Sequence, residues 1–324
     1  MTVIAMKMPG APRGVGHPAA RKQADREVAG IAISNPDKLF YPEARLSKLD
    51  LARYYAAVGP RMLPHLRDRP LSLLRCPDGW GEHCFFQKHA DRSVGAAVAR
   101  LEAPEARGMA TYLSASSVAA IVALLQWGVV ELHPWGARKR ALHCPDRLIL
   151  DFDPGPDVSW KDLVTVVRAC RELIEEIGLT GFLKTTGGKG LHIVVPIRPT
   201  LDWSAARGFT KAIADQLARA APDRIVTTAA SKSARAGKIF IDYLRNTQGA
   251  TAVAPYSLRA RENAPVATPI DWEELATDVR FDHFNLKNVP ARLAKMKRDP
   301  WAAMASTRPF VSAAMQKSLG YGGD

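Results

Sequence analysis

The sequence predicts an α+β fold in which strands and helices build a shared core. Three observations lead there. Short apolar runs bounded by turn residues lie at 148–156, 182–196 and 238–246, the pattern of buried strands. Stretches with apolar residues at helical spacing lie at 47–65, 159–177 and 203–219. The hydrophobic fraction of 47% over 324 residues is enough for a full core, and no apolar run approaches the ~20 residues of a bilayer span.

The ends of the chain differ from its middle. Residues 1–29 mix Pro, Gly, Ala and basic residues, contain no apolar core of signal-peptide type, and read as a flexible tail. A cytoplasmic, nucleoid-associated protein without membrane contact is expected. The reading places one domain over 30–305 and a second tail over 306–324. A net charge of +13 points to a polyanionic partner. Of the cysteines, none forms a C-x-x-C pair. A zinc site drawn from Cys76, His83, Cys84, His143 and Cys144 matches no standard spacing. Reduced, mostly buried thiols are expected instead.

In chain order, residues 31–42 read as a short strand and a turn, and Ser47 caps a helix through about His65. Asn35, Lys38 and Lys48 flank the start of that helix, a placement that suits a phosphate. Ordinary surface lysines are the alternative. Pro70 to Arg75 reads as a strand. After a loop comes Phe85-Phe86-Gln87-Lys88-His89, where paired aromatics beside a lysine suit stacking on a base. A plain core-and-edge pair is the alternative there. The apolar residues 117–125 lead into 127–135, a strand with Glu131 and His133 on one face. Ser159 with Asp162 resembles a capping box, and the helix after it ends at Gly178. Polar helices from Trp272 to Met296 and a loose tail after Trp301 complete the reading.

The chemistry gathers on three strand ends. Leu148-Ile149-Leu150 runs into Asp151-Phe152-Asp153 and is stopped by Pro154-Gly155-Pro156. In a strand the two acids project together. They repel each other unless a cation sits between them, and Mg²⁺ or Mn²⁺ suits an all-oxygen site. Acids capping the next helix are the alternative. Thr186-Gly187-Gly188-Lys189-Gly190 is a glycine turn whose backbone N–H groups can approach an anion. It is neither a Walker A loop nor G-x-G-x-x-G. His192 follows it directly. Asp242 ends the third apolar strand, where an unpaired carboxylate is costly and a metal shared with Asp151 and Asp153 would pair it. Arg235, Arg245, Arg259 and Arg261 suit a triphosphate.

These pieces together resemble the polymerase domain of bacterial DNA ligase D, of the archaeo-eukaryotic primase superfamily. The resemblance rests on Asn35-Pro36-Asp37-Lys38, Phe85-Phe86-Gln87-Lys88, Glu131-Leu132-His133-Pro134-Trp135, Asp151 to Pro156, Thr186 to His192 and Asp242-Tyr243-Leu244-Arg245-Asn246, in the family's order. It implies a primase-like catalytic core of mixed and antiparallel sheets flanked by helices. It implies two catalytic metals, Mn²⁺ or Mg²⁺, on Asp151, Asp153 and Asp242. Thr186, Lys189, His192, Arg245 and Arg259 would hold the triphosphate of an NTP or dNTP. Phe85, Phe86 and Lys88 would meet the base, sugar or template, and His133 would lie near the ribose. Asn35, Lys38 and Lys48 would receive the 5′-phosphate of a gapped or broken DNA end. The family often has Ser where Thr186 stands; the hydroxyl is kept and a methyl group is added.

The implied activity is template-dependent primer extension with a preference for ribonucleotides, in end joining with Ku and a DNA ligase, and a monomer is expected. The nuclease and ligase modules of the full ligase are not in this sequence, as expected of a stand-alone enzyme or an excised domain. Two rivals accompany this reading. A non-catalytic end-bridging module would use the basic charge, but acids on strand ends repel DNA. A metal-dependent nuclease would use the acids, but has no need of the triphosphate-type turn.

Overall fold

The computed structural model describes residues 26–227, 235–276 and 283–321. The chain begins with two short ribbons: β1 (Glu27–Val28) with β2 (Ile31–Ala32), and β3 (Leu39–Tyr41) with β4 (Leu46–Ser47). Helix α1 (Lys48–Leu66) follows, and Ser47 caps it as expected. Ser47 Oγ accepts the Asp50 N–H at 3.3 Å, and the Asp50 carboxylate accepts the Ser47 N–H at 2.8 Å, a complete capping box.

A five-stranded antiparallel sheet is organised on β5 (Leu71–Arg75). β5 pairs with β6 (Phe85–Gln87), with β9 (Val129–Pro134) and at Leu71 with β8 (Gly108–Ser114), which pairs with β7 (Ala99–Glu105). Helix α2 (Val118–Gln126) occupies the apolar run that precedes β9. The β7–β8 hairpin escaped the sequence reading. Its strands carry Ala, Arg, Glu and Pro, and several positions on both remain exposed, so little period-2 apolar signal is present.

The second sheet has six strands in the order β13–β14–β10–β12–β11–β15. These are β10 (Arg147–Pro154), β11 (Phe182–Thr185), β12 (Leu191–Pro196), β13 (Ile225–Val226), β14 (Ile239–Asp242) and β15 (Pro269–Ile270). All neighbours are antiparallel except β13 and β14. Alternation along β10 divides the two faces. Leu148, Leu150 and Phe152 belong to the main core, together with apolar residues of α3 (Trp160–Glu176) and α4 (Trp203–Ala220). Arg147, Ile149, Asp151 and Asp153 lie on the other face. There Ile149 joins Phe182, Val194, Trp301 and Met304 in a small second cluster.

Three expectations need correction. Cys76 and Cys84 are joined as a disulfide rather than being reduced thiols. They bracket the loop between the paired strands β5 and β6, so hairpin pairing brings their Cα atoms to 4.3 Å. Cys144 and Cys170 are free thiols. The region from Trp272 to Met296 holds a 3₁₀ turn (Trp272–Ala276) and a short helix, α5 (Val289–Lys295), with residues 277–282 outside the described chain. After Trp301 the chain is not loose: α6 (Ala313–Ser318) forms, and Val311 and Leu319 are buried in the main core.

Candidate active site

The register of three strands brings the predicted acids together. Asp151 on β10 stands opposite Asp242 on β14 on one side and opposite His192 on β12 on the other. Asp153 lies two residues along the same face and is more exposed. The partner that Asp242 requires is Arg245: its Nε lies 3.2 Å from both Asp151 Oδ2 and Asp242 Oδ2. Arg235 approaches Asp153 at 3.5 Å.

The electrostatics separate the three acids. Burial pushes the Asp151 carboxyl up, but His192, Arg245 and Lys184 outweigh it and hold the group well below the usual carboxylate range. Asp153 is pushed up by burial and by the neighbouring Asp151. Asp242 is also raised, first by burial and then by Asp151, against the pull of Arg245. His192 is driven down to about 4 by burial and by Lys184, so it is neutral at pH 7. Its Nε2 lies 3.2 Å from Asp151 Oδ1, the geometry of a neutral imidazole N–H donating to a carboxylate.

The glycine turn closes the other side. Thr186 Oγ1 donates to the Gly190 carbonyl at 3.1 Å and accepts the Gly188 N–H at 3.2 Å, which ties the turn to itself. Gly187 has φ +65°, and a Cβ there would meet Arg259 Cγ at 2.7 Å. A Cβ at Gly190 would meet the Phe152 carbonyl oxygen at 2.5 Å. Glycine is thus required for the turn to lie against β10, while the Lys189 side chain stays exposed.

Together these groups line a cavity of about 200 Å³ that receives His133, Asp151, Thr186, Lys189, His192, Arg245 and Arg259 from the predicted set. The predicted Asp153 and Arg261 also reach it, whereas Asp242 is not among the residues that line it. One residue the sequence reading left out of the site supports it from below. Glu131 is 3% exposed and takes three hydrogen bonds: His133 Nε2 at 2.8 Å, Arg259 Nε at 2.9 Å and the Ala260 N–H at 2.8 Å. Burial raises the Glu131 carboxyl, but these partners pull it down to about 2. His133 is lowered by burial against the pull of Glu131. The signal was legible in Glu131-Leu132-His133, since residues two apart on a strand share a face.

The remaining predicted residues divide. Phe86 is 59% exposed and meets the His133 ring edge-on at 5.4 Å, at the rim of the cavity. Phe85 turns the other way and stacks with His83 at 5.6 Å. Lys88 lines a neighbouring open cavity with Glu105 and Gln248. Asn35, Lys38 and Lys48 form a cluster of their own: the Lys38 N–H bonds the Asn35 carbonyl at 3.0 Å, and the Lys48 N–H bonds the Lys38 carbonyl at 2.8 Å. The Lys38 ammonium also pairs with Asp78 at 2.7 Å. Burial and Lys38 lower Lys48 to about 8.

Residues 47–301 match the sequence profile of the primase-polymerase domain of LigD. The chain belongs to this family. The LigD primase-polymerase family also supplies close relatives. The multifunctional non-homologous end joining protein LigD of Pseudomonas aeruginosa is 42% identical over 296 residues, 91% of this chain and 35% of that protein. LigD of Mycobacterium tuberculosis is 34% identical over 273 residues, 82% of this chain and 36% of that protein. The chain therefore spans about a third of the length of these relatives. The solved polymerase domain of M. tuberculosis ligase D, in complex with DNA, superposes with a TM-score of 0.80 at 32% identity, covering 86% of this chain and 99% of that one. The fold is accordingly the archaeo-eukaryotic primase-like α+β core of LigD polymerase domains.

The family implies a divalent cation, and the donor chemistry fits one. Three carboxylates with hard oxygen donors sit at adjacent strand ends, and Asp151 raises both of its acidic neighbours. As they stand, no group of three or more His, Cys, Asp or Glu side chains among the described residues is arranged to hold a metal ion. Arg245 lies between Asp151 and Asp242 and supplies the positive charge there. None of the helices among the described residues is long and apolar enough to cross a membrane.

Proposed function

We propose that this chain is a template-dependent nucleotidyltransferase that extends a 3′-hydroxyl at a gapped or broken, 5′-phosphorylated DNA end, with a preference for ribonucleotides. The observation that carries the reading is the register of β14, β10 and β12, which sets Asp242, Asp151 and His192 in one row whose Asp151 and His192 line a cavity with Lys189, Arg245, Arg259 and Arg261. Carboxylates beside a cluster of cations suit a triphosphate whose charge must be neutralised while a hydroxyl attacks it.

Each group has a role in this reading. Asp151, Asp153 and Asp242 would hold two divalent ions, Mn²⁺ or Mg²⁺. Two ions held there would supply Lewis-acid chemistry, activating the 3′-hydroxyl and neutralising charge on the leaving diphosphate. Lys189, Arg259 and the backbone of the glycine turn hold the phosphates, with Thr186 fixing the turn. Arg245 exchanges its carboxylate partners for phosphate oxygens. Neutral His192 donates to Asp151 and orients it. His133, held by Glu131, is placed to meet the ribose, and Phe86 at the rim is placed to meet the base. Asn35, Lys38 and Lys48 receive the 5′-phosphate. Mutagenesis of Phe85 distinguishes a template contact from a support for the β5–β6 loop.

The relatives are named for non-homologous end joining, which supports a place in that repair process, acting with Ku and a DNA ligase at the nucleoid. The test is incubation with Mn²⁺ or Mg²⁺, a primed 5′-phosphorylated gap and labelled NTPs or dNTPs. Templated extension supports the proposal. Degradation of the primer would favour a nuclease, and binding with no chemistry would favour an end-bridging module; either would overturn it.

A further inference from the structure

Four residues before Asp151, on the same face of β10, stands Arg147. It lines a second cavity of about 230 Å³ on that face, into which Arg61, Arg69, Arg138 and Arg308 also reach. Among the described residues, two carboxylates, Asp146 and Asp299, share the lining with these five guanidinium groups. The carboxylates are already engaged. Asp146 Oδ2 accepts from Arg69 at 2.7 Å and from Arg138 at 3.0 Å. Asp299 Oδ2 accepts from Arg61 at 2.9 Å and from the Tyr256 hydroxyl at 3.1 Å.

Arg147 is the group left over. It is 6% exposed, and its Nε has no hydrogen-bond partner among the described residues. Its nearest carboxylate oxygen, Asp146 Oδ1, lies 3.6 Å from Nε, beyond hydrogen-bond range. The Nε of fully buried Arg69 has no acceptor among the described residues either. A buried guanidinium without an acceptor is costly, and several like charges around one space compound the cost. Burial first, and then Arg138 and Arg308, lower Arg147 against the pull of Asp146. His65 at the same cavity is held neutral by burial and by its arginine neighbours, so it does not offset them.

The space calls for a compact anion with several oxygens and more than one negative charge. Guanidinium groups converging from different elements match tetrahedral phosphate oxygens better than a single carboxylate. At ~30 Å³ per water, the cavity has room for several waters and hence for a diphosphate. We propose that this cavity is a second anion site, separate from the nucleotide cavity, that binds small polyanions of the pyrophosphate class.

The site is also placed next to the first one. A narrow crevice between them is lined by Lys184 and His192, whose Nζ and Nδ1 have no partner among the described residues. His192 and Val253 border both the crevice and the nucleotide cavity, and Arg147 and Trp301 border both the crevice and the second cavity. Strand geometry puts Arg147 about 13 Å from Asp151, far enough for the two sites to be perturbed separately.

The test is a calorimetric titration of metal-free protein with inorganic pyrophosphate at fixed ionic strength, on the wild type, Arg308→Gln and Lys189→Gln. Arg308 is half-buried at the mouth and Lys189 is exposed, so both variants should fold, which a melt without ligand verifies. The proposal expects a pyrophosphate-binding event that Arg308→Gln weakens about tenfold and Lys189→Gln leaves unchanged. A short single-stranded oligonucleotide, which offers phosphodiesters instead, should not displace it. The proposal is overturned if Lys189→Gln removes all pyrophosphate binding while Arg308→Gln changes nothing, or if the wild type binds no pyrophosphate. It is also overturned if Arg308→Gln weakens the oligonucleotide alone, which would make the cavity a contact for the DNA backbone.

Discussion

Glu131 offers the sharpest test of how the nucleotide cavity is held together. Glu131→Gln keeps the shape of the side chain and removes its charge, leaving Arg259 without its carboxylate and His133 with a weaker acceptor. The carboxyl is pulled from its ordinary 4.5 down to about 2, and at ~1.4 kcal/mol per unit this shift corresponds to about 3 kcal/mol of stability at pH 7. That lies at the lower edge of the range for breaking a buried ion pair, about 3–5 kcal/mol. At ~2.1 cal/mol/K per residue, a loss of this size in a chain of 324 residues should lower Tm by roughly 4–5 °C. Because the folded pKa is depressed, the stabilisation is complete above pH 4.5 and fades as pH falls toward 2. About 2 kcal/mol of it should be gone by pH 3, so the gap between the wild-type and variant melting curves should narrow to less than half there. Calorimetric melts at pH 7, 4 and 3 measure the gap, and NTP binding to the folded variant measures the loss of Arg259. An unchanged Tm at pH 7, or a gap as wide at pH 3 as at pH 7, would refute the argument.

Two further outcomes are expected. Replacing Lys38 and Lys48 together with Ala should weaken binding to a 5′-phosphorylated gap far more than to a 5′-hydroxyl gap, by about 1.5–3 kcal/mol per contact before screening. Bound phosphate keeps Lys48 protonated, so affinity for the phosphorylated gap should fall up to about tenfold between pH 7.5 and 9; equal losses on both DNAs, or a flat pH profile, would remove the end-recognition role. Lys184→Met should stabilise the protein. Burial and then Arg259 bring Lys184 down to about 7 against an ordinary 10.5, so the unfolded chain holds its proton to higher pH and the lysine's penalty is full below pH 7. The gain in Tm should be larger at pH 6 than at pH 9; a loss of Tm at both would contradict it.

Much of the site could be read in the sequence because strand alternation is local. Asp151 and Asp153 share a face by spacing alone, and the glycine turn announces a close backbone approach. The register that sets Asp151 opposite Asp242 and His192 is a pairing between distant segments, and no local period encodes it. Arg245 as the partner of two acids was hidden for the same reason: its charge suited a phosphate, while its place three residues after Asp242 depends on the 3₁₀ turn at Leu244–Asn246. Phe85 and Phe86 looked like one aromatic platform, but successive strand residues point to opposite faces, and only Phe86 reaches His133. The disulfide was missed because the zinc spacings failed and the hairpin joining Cys76 to Cys84 was not foreseen. The packed chain after Trp301 was missed because its buried anchors, Val311 and Leu319, belong to no sustained apolar period, and the aromatic beside Val311, Phe310, is exposed.

The most direct measurement is single-nucleotide addition on a 5′-phosphorylated gap with Mn²⁺ or Mg²⁺, comparing wild type with Asp151→Ala and Asp242→Ala, while DNA binding is followed in parallel. The account predicts that both variants lose addition and bind DNA as well as or better than the wild type, since removing a carboxylate relieves repulsion of phosphate. Full addition by either folded variant would contradict the assignment of the row of acids as the catalytic centre.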